Sequence, residues 1–208
     1  MPSALSGRRA EAARNDERIL ESARAVFVAD PGAPISAVAE HAGVGVGALY
    51  RRYESKEDLL RTLCADGLQR FIAAAEAALA DRGDPWEAFA GFMRACVDAD
   101  TNSLTQRLAG TFTPTEELID VARSLYRTVQ ELIERVKAAG ALRADVTQED
   151  VNLLFEQLRG VRLGDDERTA DLQRRYLALM LQALRAPGAA PLPGSPPGWA
   201  EIQGRWQA

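Results

Sequence analysis

The segment running from Pro34 to Leu60, PISAVAEHAGVGVGALYRRYESKEDLL, constrains the fold more than any other part of the chain. Ile35, Val38 and Ala39 recur at i, i+3 and i+4, an apolar stripe for a short helix, and Gly43 stands where a helix end needs a left-handed residue. Val44 plugs the turn, Gly45 can start the next helix, and Val46 to Tyr53 leaves room for two turns that carry Leu49 inward. Two short helices joined this tightly must cross steeply. The second then projects as a ridge narrow enough for the ~12 Å major groove of duplex DNA, with Tyr50, Arg51 and Arg52 on its outer face. Ser55 followed by Asp58 predicts a capped third helix with Lys56 in its first turn, where exposed N–H groups and an ammonium can share a phosphate.

The cluster Gly45-Val46-Gly47 does not make a nucleotide-binding loop. Such a fingerprint follows a strand, whereas ISAVAEHA is an amphipathic helix pattern, and the third glycine and distal acid are out of register.

The segment resembles the TetR family of transcriptional regulators through Val38, Ala39, Ala42, Gly43, Val44, Gly47, Leu49, Tyr50, Tyr53, Lys56 and Glu57. Ile19, Leu20, Ala23, Val26 and Phe27 add an apolar face for a preceding helix, ended by Asp30-Pro31-Gly32. DPWEAF and the PPGWAEI ending resemble the SbtR-like C-terminal branch. The resemblance implies an all-α fold, with an N-terminal three-helix helix-turn-helix DNA-binding domain joined to a larger helical effector-binding and dimerisation bundle. It also implies that Ser36, Tyr50 and Lys56 hold phosphates, that Gly47 lets the backbone approach DNA, and that Val46, Ala48, Arg51 and Arg52 face base edges or adjacent phosphates. Either arginine fits the O6 and N7 of a guanine. Pro34, Gly45 and Ala48 occupy positions where the family commonly carries Ser or Thr, so three hydroxyls for capping helices or binding phosphates are absent.

The net charge of −5 over 208 residues looks unsuited to a DNA binder. Over residues 1–63, however, nine basic residues balance nine acidic ones, so the acidic excess lies in the remainder. A locally neutral domain neutralises few phosphates per subunit, which predicts moderate salt dependence and a need for dimerisation. Residues 1–10, with Arg8 and Arg9, read as a flexible basic arm, 11–58 as the DNA-binding domain, 59–186 as the ligand-binding and dimerisation domain, and 187–208 as a Pro-rich linker with a short docking helix.

Beyond the DNA-binding domain the periodicity is helical throughout. Leu59 to Ala75 carries a stripe that ends near Asp81-Arg82-Gly83-Asp84-Pro85; further helices are expected from Pro85 to about Val97, around Leu104 to Ala109, and from Glu116 to Lys137. Trp86, Phe89, Phe92, Met93, Cys96, Phe112 and Tyr126 concentrate aromatic and soft side chains in these middle helices, where the resemblance implies an effector pocket, with Arg107, Asp98 or Asp100 as its polar end. Plain core packing is the alternative for the aromatic and soft side chains, and solvated helix faces for Arg107, Asp98 and Asp100. The last long pair, about Gln148 to Arg159 and Glu167 to Leu184, carries more apolar surface than two helices bury between themselves. Phe155, Leu158, Leu172, Tyr176, Leu177 and Met180 are the expected dimer contacts, with closure of the core as the alternative. Trp199, Ile202 and Trp206 give the tail a docking face.

Other function classes find little support. His41 is the only histidine, which argues against a metal site of the usual kind, and no nucleophile, base or phosphate loop is assembled for an enzyme. Cys64 and Cys96 sit at apolar helical positions as core cysteines. No apolar run approaches the ~18 to 20 residues of a membrane span, and no secretory leader is evident, so the expected location is the cytoplasm. The expected partners are double-stranded DNA bearing a pseudo-palindromic operator, a small-molecule effector of unknown identity and a second copy of the chain, with no cofactor. A homodimeric repressor released by its effector is the leading expectation, and a ligand-independent DNA binder or an activator the alternative.

Overall fold

The computed structural model describes residues 4–98, 112–186 and 190–204. Among them the order is α1 (Ala4–Ala29), α2 (Ile35–Ala42), α3 (Val46–Arg52), α4 (Lys56–Ala80), α5 (Pro85–Asp98), α6 (Glu116–Ala138), α7 (Gln148–Arg159), α8 (Asp166–Leu184) and α9 (Trp199–Gly204). The only β-type pairing among the described residues is an isolated bridge between Leu142 and Arg185. The fold is therefore all-α, as the periodicity predicts. Residues 4–10, expected as a flexible arm, form the first turns of α1. The expected short segment around Leu104 to Ala109, with Arg107 and Asp100, and also Trp206, lie outside the described residues.

The chain forms two compact units, Met1–Ala65 and Asp66–Ala208, so the boundary falls inside α4 and not near its start. In the first unit α1 packs on α2 and α2 on α3. Ile19, Ala23 and Phe27 of α1 are buried with Val38 and Ala39 of α2, Leu49 of α3 and Leu59, Leu60 and Leu63 of α4. Gly43 closes α2 at φ 65°, and the Val44 N–H returns to the Ala39 carbonyl at 2.9 Å. This left-handed geometry carries little cost for glycine and fixes the sharp exit into α3. Pro34 and Gly45 start α2 and α3 without side-chain caps, as their missing hydroxyls require. α4 starts with a true cap: Ser55 Oγ accepts from the Asp58 N–H at 3.1 Å, while the Asp58 carboxylate accepts from the Glu54 N–H at 3.2 Å.

The second unit is built around the buried face of α5. Asp84 caps that helix, its carboxylate accepting from the Trp86 N–H at 2.8 Å, and Pro85 takes the first helical position, where its missing N–H costs nothing. Phe71 of α4 meets Phe92 and Phe155 edge-on, at centroid distances of 5.9 and 5.8 Å. Val129, Leu132, Ile133 and Val136 of α6 and Val151, Phe155 and Leu158 of α7 close the core with Leu177, Leu181 and Leu184 of α8. α7 begins with the reciprocal Thr147–Asp150 capping box, and Asp165 caps α8. The first half of α6 departs from expectation. Its apolar stripe continues to Ile119, yet Ile119 is exposed and Leu125 and Tyr126 only half-buried.

The C-terminal segment is tied to this unit at two points. Arg143 forks onto Asp145 at 2.7 and 2.9 Å and also donates to the Ala190 carbonyl at 2.7 Å, while Asp145 accepts from the Leu192 N–H at 3.0 Å. The Trp199 ring then lies 4.6 Å from that of Tyr126.

Candidate nucleic-acid interface

α3 is held by its inner side. Leu49 is fully buried and Tyr53, just beyond the helix, is 4% exposed, so both anchor α3 against the rest of the first unit. Replacing such a leucine by alanine typically costs ~2 to 5 kcal/mol. With these two turned inward, the 3.6-residue period turns Val46, Gly47, Tyr50 and Arg51 outward. Tyr50 is 50% exposed and Val46 39%, large values for apolar and aromatic side chains on a helix of this length. Ala48 is half-buried at the edge, and Ser36 is exposed on α2.

The two arginines have different surroundings. Arg52 donates from Nε and Nη2 to the two carboxylate oxygens of Asp16 on α1, at 2.9 and 2.8 Å, which also raises its pKa. Among the described residues Arg51 has no hydrogen-bond or ion-pair partner, and its guanidinium is available on the exposed ridge. Lys56, expected beside a phosphate, donates to the Ala33 carbonyl at 2.7 Å and the Pro31 carbonyl at 3.2 Å, with its ammonium 5.2 Å from the Phe27 ring centre. Two of its three donors thereby hold the turn between α1 and α2 onto the start of α4.

Gly45 and Gly47 are not demanded by packing. A Cβ at Gly45 would meet nothing within 4 Å, and one at Gly47 only the Arg51 guanidinium at 3.9 Å. Both have open space above the ridge. Asp16, which positions Arg52, was missed in the sequence, because it lies on α1, far along the chain, and no local pattern marks it. Phe27 belongs to the apolar face expected of α1, but its contact with Lys56 has no local signal.

In the second unit the expected pocket residues separate. Phe89, Phe92, Met93 and Cys96 are packed core, and burial pushes the Cys96 thiol pKa upward. Cys64, in the first unit, is likewise buried, its pKa pushed up to about 12. Phe112 is half-buried. Tyr126 donates to Glu149 at 2.8 Å; burial, and then this bond, raise its pKa to about 12. Trp86 alone of the seven borders a cavity of about 430 Å³ between α5 and α8, which Asp98 also borders. Of the expected dimer contacts, Phe155, Leu158, Leu172 and Leu177 are buried within the unit, Met180 is half-buried and Tyr176 is exposed. Leu179, 52% exposed, joins Tyr176 on that outward stripe and was not singled out in the sequence. Among the described residues no cluster of His, Cys, Asp or Glu suits a metal, and no helix is long and apolar enough to cross a membrane.

Comparison with known proteins agrees with this architecture. The family model for bacterial regulatory proteins of the tetR family matches residues 19–63, and that for the SbtR-like transcriptional regulator C-terminal domain matches residues 84–186. A TetR transcription regulatory protein from Mycobacterium vanbaalenii is 30% identical, with 86% of this chain and 99% of that one covered and a TM-score of 0.58. The TetR regulator SCO0520 from Streptomyces coelicolor shares the fold at 24% identity and a TM-score of 0.62, over 83% of this chain and 99% of its own. LfrR from Mycobacterium smegmatis, solved in complex with proflavine, shares the fold at 20% identity and a TM-score of 0.58, over 81% and 96% of the two chains. No curated protein matches the chain.

Proposed function

The chain belongs to the TetR family of DNA-binding transcriptional regulators, and from that premise we propose a homodimeric repressor that binds a pseudo-palindromic operator and leaves it when a small molecule occupies the second unit. The observation that carries the DNA-reading half is the polarity of α3: Leu49 and Tyr53 are buried on one side, while Tyr50 and the unpaired Arg51 stand exposed on the other. A helix so presented offers one guanidinium fork to a guanine edge and one phenol to a phosphate. Arg51 is assigned the base and Tyr50 and Ser36 the backbone. Gly47 brings the α3 backbone close to the DNA, with Val46 and Ala48 at its flanks. Arg52 orients α3 through Asp16, and Lys56 holds the turn before α2.

The dimer reading rests on Tyr176 and Leu179, exposed on α8 among the described residues, with the half-buried Met180 beside them. Two copies joined there would present paired α3 helices to half-sites about 34 to 36 Å apart. α4 carries residues of both units, and in this reading the ligand acts through it. A ligand releases the operator only to the extent that it binds the displaced conformation more tightly.

The test is selection of bound sequences from randomised duplex DNA at near-physiological salt, with sedimentation to fix the stoichiometry. An inverted repeat bound by two chains is the expected result. Recovery of no motif, or of a single half-site bound by one chain, would overturn the reading.

A further inference from the structure

We propose that the cavity between α5 and the C-terminal half of α8 is a binding site for a monocarboxylate with an apolar body. Its volume of about 430 Å³ is that of a small-molecule site. Leu177 and Leu181, both buried in the core, and the exposed Ala178 give its lining an apolar part. Trp86 also lines it, with the Arg185 guanidinium 4.9 Å from the ring centre.

The charges at the mouth select the ligand. Arg174 donates from Nε to Asp98 at 2.8 Å and from Nη1 to Asp171 at 3.4 Å, so two carboxylates already answer its charge. Glu87 lies between two guanidiniums, 3.7 Å from Arg94 and 3.8 Å from Arg185, within ion-pair reach of both and hydrogen-bonded to neither. Two cations therefore share one carboxylate that does not use their donors. A second carboxylate entering the mouth finds planar N–H forks ready to receive it, whereas an ammonium meets an excess of positive charge. The apolar body of the same molecule then covers Leu177 and Leu181.

The site is distinct from both surfaces already assigned. At 3.6 residues per turn, Arg174, Ala178 and Leu181 line one side of α8, while Tyr176, Leu179 and Met180 occupy the other. A bound carboxylate and a second copy of the chain thus do not compete for the same surface. Release of DNA by this ligand rests on the proposed repressor reading; binding itself does not.

The experiment is calorimetric titration of the full-length protein with decanoate below its micellar concentration, alongside decylammonium, followed by the same titrations on three variants with thermal melts as a check on folding. Decanoate is expected to saturate at one molecule per chain and to bind at least about tenfold more tightly than decylammonium. Glu87→Gln, which removes the resident carboxylate, is expected to tighten decanoate severalfold. Arg94→Gln should weaken it about tenfold, the effect of one charge-assisted hydrogen bond. Ala178→Trp, at an exposed position, fills the cavity and should abolish binding. Equal or tighter binding of decylammonium, affinity unchanged in Glu87→Gln, or saturable decanoate binding retained by Ala178→Trp would overturn the proposal. If decanoate binds with the expected pattern and operator affinity stays the same, the site stands and the effector role in the repressor reading falls.

Discussion

The Arg52 guanidinium is forked onto the Asp16 carboxylate, Nε at 2.9 Å and Nη2 at 2.8 Å, and so ties the last turn of α3 to α1. The adjacent Arg51 has no such partner among the described residues. In the proposed reading these neighbours in sequence take different roles: Arg52 holds α3 to α1, and Arg51 is left for DNA.

Arg51→Ala is expected to relax sequence preference at one base pair in each half-site, by ~1 to 3 kcal/mol. Arg52→Ala and Asp16→Asn should resemble each other. Each loosens α3, weakening all operator variants severalfold and alike, and because the Arg52 side chain is 59% exposed, each lowers stability by at most ~0.2 to 1 kcal/mol. Binding measured against a panel of single-base operator variants checks both statements. If Arg52→Ala changes base preference while Asp16→Asn does not, Arg52 reads the base.

Gly47 offers a case in which stability and function move in opposite directions. Alanine there meets no crowding atom and removes a glycine from a helix, so Gly47→Ala should stabilise the first unit by up to ~1 kcal/mol. The added methyl stands on the outer ridge and should weaken the operator roughly tenfold by holding the backbone away from it. Paired urea titrations and operator titrations test this. Unchanged affinity would remove Gly47 from the interface.

Lys56 illustrates what is and is not legible in a sequence. The stripe Ile35, Val38, Ala39, Ala42 and the stop at Gly43 are local signals, and the structure reproduces them because a helix period and a left-handed cap involve only near neighbours. The side-chain choices of Arg52 and Lys56 depend on Asp16 and on the carbonyls of Pro31 and Ala33, which the fold brings close. No spacing rule encodes them. The same limit applies to the mouth of the α5–α8 cavity, where Glu87, Arg94, Arg174 and Arg185 come from separate parts of the chain and no local spacing pairs them. Periodicity also tells which face of α6 is apolar but not what covers it, and Ile119 remains exposed.

Because two of the Lys56 donors are engaged by carbonyls, Lys56→Met should act first on folding. The stem is retained and both hydrogen bonds are lost, at a cost of about 1 to 2 kcal/mol after allowance for partial exposure. The slope of operator affinity against salt should stay as it was. A phosphate ligand, by contrast, would lower that slope by about 1 per subunit on removal.

Tyr126 and Glu149 give the second unit a marked response to alkali. Burial, and next the hydrogen bond to Glu149, raise the phenol from its ordinary 10.0 to about 12 in the folded chain. Between those values the unfolded chain has lost its proton while the folded one keeps it. The stabilisation is therefore fully present below about pH 10 and disappears as the pH rises through about 12. Tyr126→Phe should reduce that dependence, the part that remains coming from the Cys96 thiol, whose pKa burial also raises. Near pH 8 the same variant should cost about 1 to 2 kcal/mol, because Glu149 is buried, 8% exposed, and loses the hydroxyl bonded to its carboxylate. Urea midpoints at pH 8 and pH 11 for both proteins decide it, and parallel losses between the two pH values would show that the Tyr126 phenol is not the responsible group.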